Sequence, residues 1–135
     1  MTESEHHEKL SLLTQLIQLA KVDSDIHDSE YQFLSAIANQ LGVSKEEFNG
    51  LFDEYISFQP PAFEFDRIVQ FHRLVLLMNI DQVVDEKQLT LIKTMGIRLG
   101  LQPLAIAEVL DTMHDYPNNM LPPDKLIAIF RTFQN

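Results

Sequence analysis

Apolar residues recur along the chain at intervals of three and four, the spacing of one face of an α-helix. Leu10, Leu13, Leu16, Ile17 and Ala20 follow it, then Phe33, Leu34, Ile37, Ala38 and Leu41, then Phe48, Leu51, Phe52 and Tyr55. No segment alternates with period two for long, and no Asn-Gly or Asp-Gly pair joins two such segments as a hairpin turn. The spacing and its boundary residues predict seven helices. The first runs from about Glu5 to Val22. The second follows Asp28 as N-cap and stops at Gly42, a suitable C′ residue. The third begins at Ser44, where Ser44-Lys45-Glu46-Glu47 reads as a capping box, and ends before Gln59-Pro60-Pro61. The fourth spans about Asp66 to Ile80, the fifth starts at Asp85 and stops at Gly100, and the sixth opens with Pro103 and ends near Pro117. The last follows Pro122-Pro123 and aligns Leu126, Ile129, Phe130 and Phe133. Leu74 to Met78 are apolar round more than a full turn, which predicts that the fourth helix is central and buried.

The pattern returns when the chain is shifted by 58 residues. Leu10, Leu13, Leu16, Ile17 and Ala20 fall on Ile68, Phe71, Leu74, Val75 and Met78. Asp23 falls on Asp81, Ile26 on Val84, and Leu41-Gly42-Val43 on Leu99-Gly100-Leu101. Glu8-Lys9-Leu10, Asp66-Arg67-Ile68 and Asp124-Lys125-Leu126 repeat acidic, basic and aliphatic character at the same interval. The expected architecture is all-α: one domain over residues 1–135, with pseudo-repeats at about 8–58 and 66–116 and an extra helix at 123–134.

Composition narrows the function. The chain has 135 residues, a formal charge of −10 and no cysteine. Thiolate metal sites, thiol catalysis and disulfides are therefore excluded. The acidic balance and the lack of a basic cluster argue against nucleic acid and against an anionic membrane surface. The longest apolar run is too short to span a bilayer, and the acidic N-terminus is unlike a signal peptide, so a cytoplasmic setting is expected. The charge is unevenly placed. Residues 1–66 hold 13 acids and three bases, whereas residues 67–135 hold seven of each. The acidic half is the candidate surface for a cation or for a protein partner with a basic surface.

The densest chemistry lies in the first helix–helix turn, Val22-Asp23-Ser24-Asp25-Ile26-His27-Asp28-Ser29-Glu30. Hard divalent cations such as Ca²⁺ take several oxygen ligands from a short loop, which makes Asp23, Asp25 and Glu30 the candidate metal ligands, with Ile26 as a buried plug. The turn is not an EF-hand: counted from Asp23, the sixth and twelfth positions are Asp28 and Leu34 rather than Gly and Glu. Helix capping and dipole compensation offer a plain structural role for the same carboxylates. The equivalent turn keeps Asp81 but replaces Asp25 by Val83 and Glu30 by Gln88. His6 and His7 are expected to be solvated near a fraying terminus, and His72 to be a satisfied core or boundary histidine. Asp111, His114 and Asp115 share part of a helix surface. No nucleophile elbow and no phosphate-binding glycine loop occur. A non-enzymatic interaction module is the first reading, and a metal-dependent hydrolase built on loop carboxylates is the alternative.

The segment from Leu16 to Val43, with its helix, acidic turn, aliphatic plug, acidic helix start and Leu-Gly-Val stop, resembles the TerB-like family. These are small all-helical bacterial domains associated with tellurite resistance, and a related domain occurs in a DnaJ-like co-chaperone. The resemblance implies a helical fold with two similar halves, a cytoplasmic setting and an acidic patch suited to metal ions or partner proteins. The family's turn reads Ala-Asp-Gly followed by a Glu. Here the matching positions are Val22, Asp23, Ser24 and Glu30, and in the second copy Ile80, Asp81, Gln82 and Gln88, so both turns lack the glycine.

Overall fold

The computed structural model describes residues 2–22, 25–54, 56–80 and 85–134. Among these residues the fold is all-helical, with seven α-helices, two 3₁₀ turns and no strand. The helices are α1 (Glu3–Lys21), α2 (Asp28–Gln40), α3 (Lys45–Gly50), α4 (Glu64–Met78), α5 (Glu86–Arg98), α6 (Pro103–Thr112) and α7 (Pro123–Thr132). The chain divides into two compact units, residues 1–60 and 61–135.

In the first unit α1 packs on α2 and α2 on α3. Thr2 caps α1, its hydroxyl accepting from the Glu5 amide at 3.1 Å. The terminus expected to fray is therefore helical from Glu3 onward. Every residue from Ser11 to Ile17 is buried, including Ser11, Thr14 and Gln15. Ser11 donates to the Glu8 carbonyl at 2.9 Å and accepts from the Gln59 amide at 3.2 Å, so its burial leaves no orphan hydroxyl. Tyr31, Phe48 and Phe52 form an aromatic cluster with ring centroids 5.3–5.9 Å apart.

Helix α3 is shorter than its apolar spacing predicts. Beyond Gly50 the amides of Leu51, Phe52 and Asp53 bond three residues back, to Phe48, Asn49 and Gly50, at 3.1–3.3 Å. This 3₁₀ tightening ends the helix, and the Lys21 ammonium donates to the freed Phe52 carbonyl at 3.1 Å. Ser44 is its N-cap as expected, with the hydroxyl accepting from Glu47 N at 3.2 Å.

In the second unit α4 packs on α5 and α7, α5 on α6, and α6 on α7. No residue from Arg67 to Ile80 is exposed, as the continuous apolar run predicts. Phe71 meets Phe130 of α7 edge-on at 5.9 Å. Asn79, at the end of α4, is buried. Its amide donates to the carbonyls of Val75 at 3.0 Å and Asn119 at 3.2 Å, holding the 3₁₀ segment 117–119 to the helix end.

The interval of 58 is written into the helix bounds. Asp28 and Gln40 lie 58 residues before Glu86 and Arg98, and Lys45 lies 58 before Pro103. Both stops have the same geometry. Gly42 (φ 75°) donates to Asn39 O and Val43 to Ala38 O, while Gly100 (φ 86°) donates to Ile97 O and Leu101 to Gly96 O. Each is a Schellman motif, in which a left-handed residue lets two amides satisfy the last helical carbonyls. Glycine takes that conformation without the steric cost of a Cβ.

Candidate functional site: the first helix–helix turn

The turn joining α1 to α2 is built by the caps on either side. Val22 closes α1, with its amide 3.4 Å from Leu19 O. The N-cap of α2 is His27, one residue before the expected Asp28, and Glu30 is the reason. A carboxylate at the third helical position reaches back to the N-cap amide, and Glu30 Oε1 accepts from His27 N at 3.1 Å. Had Asp28 been the cap, that position would fall on Tyr31, whose phenol instead donates to Asn49 Oδ1 at 2.7 Å.

The candidate ligands therefore differ in setting. Glu30 is only 5% exposed and one carboxylate oxygen is committed to the cap. Asp25 is exposed, as are His27, Asp28 and Ser29. Ile26 is half-buried rather than the fully buried plug expected of it. Asp23 lies outside the described residues, as do Ser24 and Tyr55, and so does the equivalent turn with Asp81, Gln82, Val83 and Val84. Gln88, the counterpart of Glu30, is also buried, at 6% exposure. Among the described residues, no group of three or more His, Asp and Glu side chains is arranged to hold a metal ion.

The other titratable candidates disperse. His6 pairs with Glu47 at 2.6 Å between Nε2 and Oε2, and His7 Nε2 lies 3.1 Å from Ser57 O. These two histidines staple the start of α1 to later parts of its unit, rather than standing solvated. Asp111, His114 and Asp115 are exposed on α6 and on the 3₁₀ turn at 113–115. His72 is half-buried on α4 and its pKa is lowered by burial. A hydrogen bond with the Leu121 backbone opposes that shift, and the neighbouring Arg73 charge adds to it. Burial also lowers Arg73, against the opposing pull of Asp66, and its guanidinium donates to Gln70 Oε1 at 3.2 Å.

Several clefts accompany these surfaces, one of about 440 Å³ lined by Thr2, Glu3, His6, His7 and Leu10. One in the first unit, of about 230 Å³, is lined by Ile17, Lys21, Phe52, Asp53 and Glu54 among others. One in the second, of about 540 Å³, is lined by Glu64, Gly100 to Pro103, Phe130, Phe133 and Gln134. Neither of these last two gathers a catalytic set among its lining residues. The buried latch at Asn79 escaped the sequence reading. Its only signal was a polar residue closing the apolar run Leu74 to Met78.

Residues 1–52 match the family model described as tellurite resistance protein TerB. This segment is TerB-like. It contains α1, the acidic turn, α2 with its glycine stop, and α3, and it ends eight residues before the close of the first unit. No curated protein and no solved structure matches the chain. Among the described residues, no helix is long and apolar enough to cross a membrane.

Proposed function

We propose that the protein is a non-enzymatic, TerB-like interaction module whose acidic first turn meets a divalent cation or a partner protein with a basic surface. The observation that carries the reading is the coincidence of the family match with the charge excess. The matched segment, residues 1–52, holds Asp23, Asp25, Asp28 and Glu30 in one turn and lies in the acidic half of the chain. The exposed Asp25 and Asp28 carboxylates are free to face a cation, and Glu30 sets the start of α2 beneath them. Asp23 and Asp25 are the ligands of choice for a Ca²⁺-like ion, with Glu30 offering its second oxygen.

A Ca²⁺ titration followed by backbone NMR tests the cation. Shifts confined to the amides of residues 23–30 are expected at millimolar concentration or below. Unchanged amides there would remove the ion from the proposal. Reversal of Asp25 and Asp28 to lysine tests the partner, and a binder retained equally by both forms would move docking elsewhere. Turnover in a phosphatase or esterase screen with Zn²⁺, Mn²⁺ or Mg²⁺ added would replace the module by a metal-dependent hydrolase.

A further inference from the structure

One pair in the sequence has a chemistry that neither the fold nor the proposed function uses. Asn49-Gly50 is the single Asn-Gly step; Asn39, Asn79, Asn118 and Asn119 precede Gln, Ile, Asn and Met. Nothing in the backbone demands a glycine at position 50. Its φ is not positive, and a Cβ built there meets no atom within 4 Å. It sits in the last turn of a helix, where glycine is unfavourable. Both residues are exposed. They close the shortest helix, α3, whose continuation consists of three-residue-back bonds at 3.1–3.3 Å. A six-residue helix ending in such bonds opens locally at far less cost than global unfolding.

From these observations we infer that Asn49-Gly50 is a self-modifying site, a deamidation switch gated by opening of the α3 end. The Gly50 nitrogen, losing its proton to solvent base, attacks Asn49 Cγ. The N–Cγ bond forms, the Cγ–amide bond breaks, and ammonia leaves to give a five-membered succinimide. Water then opens the ring. Cleavage between Gly50 N and Cγ yields aspartate at 49. Cleavage between Gly50 N and the Asn49 backbone carbonyl yields the isoaspartyl form, with the chain routed through the side chain. Ring closure requires Asn49 to leave the helical ψ range, so intact α3 protects the pair. The missing side chain at 50 leaves the attacking nitrogen unhindered. The two products differ in consequence. Aspartate still accepts from the Tyr31 phenol, now as a charge-assisted bond. The isoaspartyl form adds a methylene to the backbone next to the buried Phe48.

The test is peptide mapping by mass spectrometry of the full-length protein incubated at mildly alkaline pH, native and in urea, beside Gly50→Ala. In the native protein Asn49 is expected to convert before any other asparagine. Its rate should be roughly 5- to 30-fold below that in urea, as for a locally opened helix end. Gly50→Ala, which has room for its methyl group, should slow conversion under both conditions. A native rate about a thousandfold or more below the urea rate would show that only global unfolding exposes the site, and would overturn the gating. Earlier conversion at another asparagine, or an unaltered rate in Gly50→Ala, would overturn the site itself.

Discussion

Gly96 offers the sharpest quantitative test of the packing. It lies inside α5, is buried, and supplies the carbonyl that receives Leu101 N in the Schellman stop. A Cβ built on it falls 2.7 Å from Ile106 Cδ1, 3.2 Å from Ile106 Cγ1 and 3.0 Å from Phe71 Cε1. Ile106 and Phe71 are themselves only 2% and 0% exposed, so neither can swing into solvent. Two effects oppose one another in Gly96→Ala. Helix propensity favours alanine by about 0.8–1.0 kcal/mol. Overpacking a filled core costs about 1–3 kcal/mol. The net expectation is a loss of about 1 kcal/mol, where Gly50→Ala, with the same propensity gain and open space, should gain up to about 1 kcal/mol. Ile106→Val removes the Cδ1 atom that makes the closest contact and should cost about 0.5–1.5 kcal/mol alone. In the double variant the new methyl group occupies part of the space vacated. The two losses should therefore fall short of additivity by about 1 kcal/mol. Urea unfolding of the four proteins, followed by far-ultraviolet circular dichroism, completes the cycle. A stabilised Gly96→Ala, or single losses that add within about 0.5 kcal/mol, would refute the packing argument.

Three further predictions concern caps and charge. Glu30→Ala should lose about 1 kcal/mol, because the His27 amide loses its acceptor, while Glu30→Gln keeps an oxygen in place and should retain most of the stability. Equal losses in urea unfolding would refute the capping role. Ser44→Ala should cost about 1 kcal/mol by freeing Glu47 N, read from the same unfolding curves. The His72 pKa is lowered below 6.5 in the folded state, so the unfolded chain takes up the proton more readily. The stability tied to neutral His72 is present above pH 6.5 and is lost as the pH falls through the folded pKa. His72→Gln should thus flatten part of the fall in unfolding free energy between about pH 7.5 and about pH 5, and an unchanged slope would refute it.

What was legible in the sequence was what neighbours along the chain decide. Helix character, the Ser44 and Asp85 caps, the Pro103 and Pro123 helix starts and the two glycine stops all rest on contacts within about five residues, and the structure places them as read. The 58-residue interval was visible because the same boundary chemistry occurs at both positions. The acidic turn was legible as composition, since carboxylates cannot be hidden in a sequence.

Tertiary structure decided the rest. The apolar spacing through Leu51 and Phe52 promised a long third helix, but Lys21, 31 residues away, takes the Phe52 carbonyl, and the helix stops at Gly50. Periodicity could not say that Glu30 would be buried while Asp25 stayed in solvent, because burial depends on what packs above a turn. Nor could it show that His6 and His7 would find Glu47 and Ser57 more than 40 residues later. Position 38 carries alanine and position 96 glycine, both buried. A small residue is all the sequence shows there, and only the fold brings Ile106 and Phe71 against Gly96 to explain it. Local chemistry places the helices because hydrogen bonds and caps act over a few residues. Which carboxylate remains free to act is set by burial, a property of chains brought together from far apart in sequence.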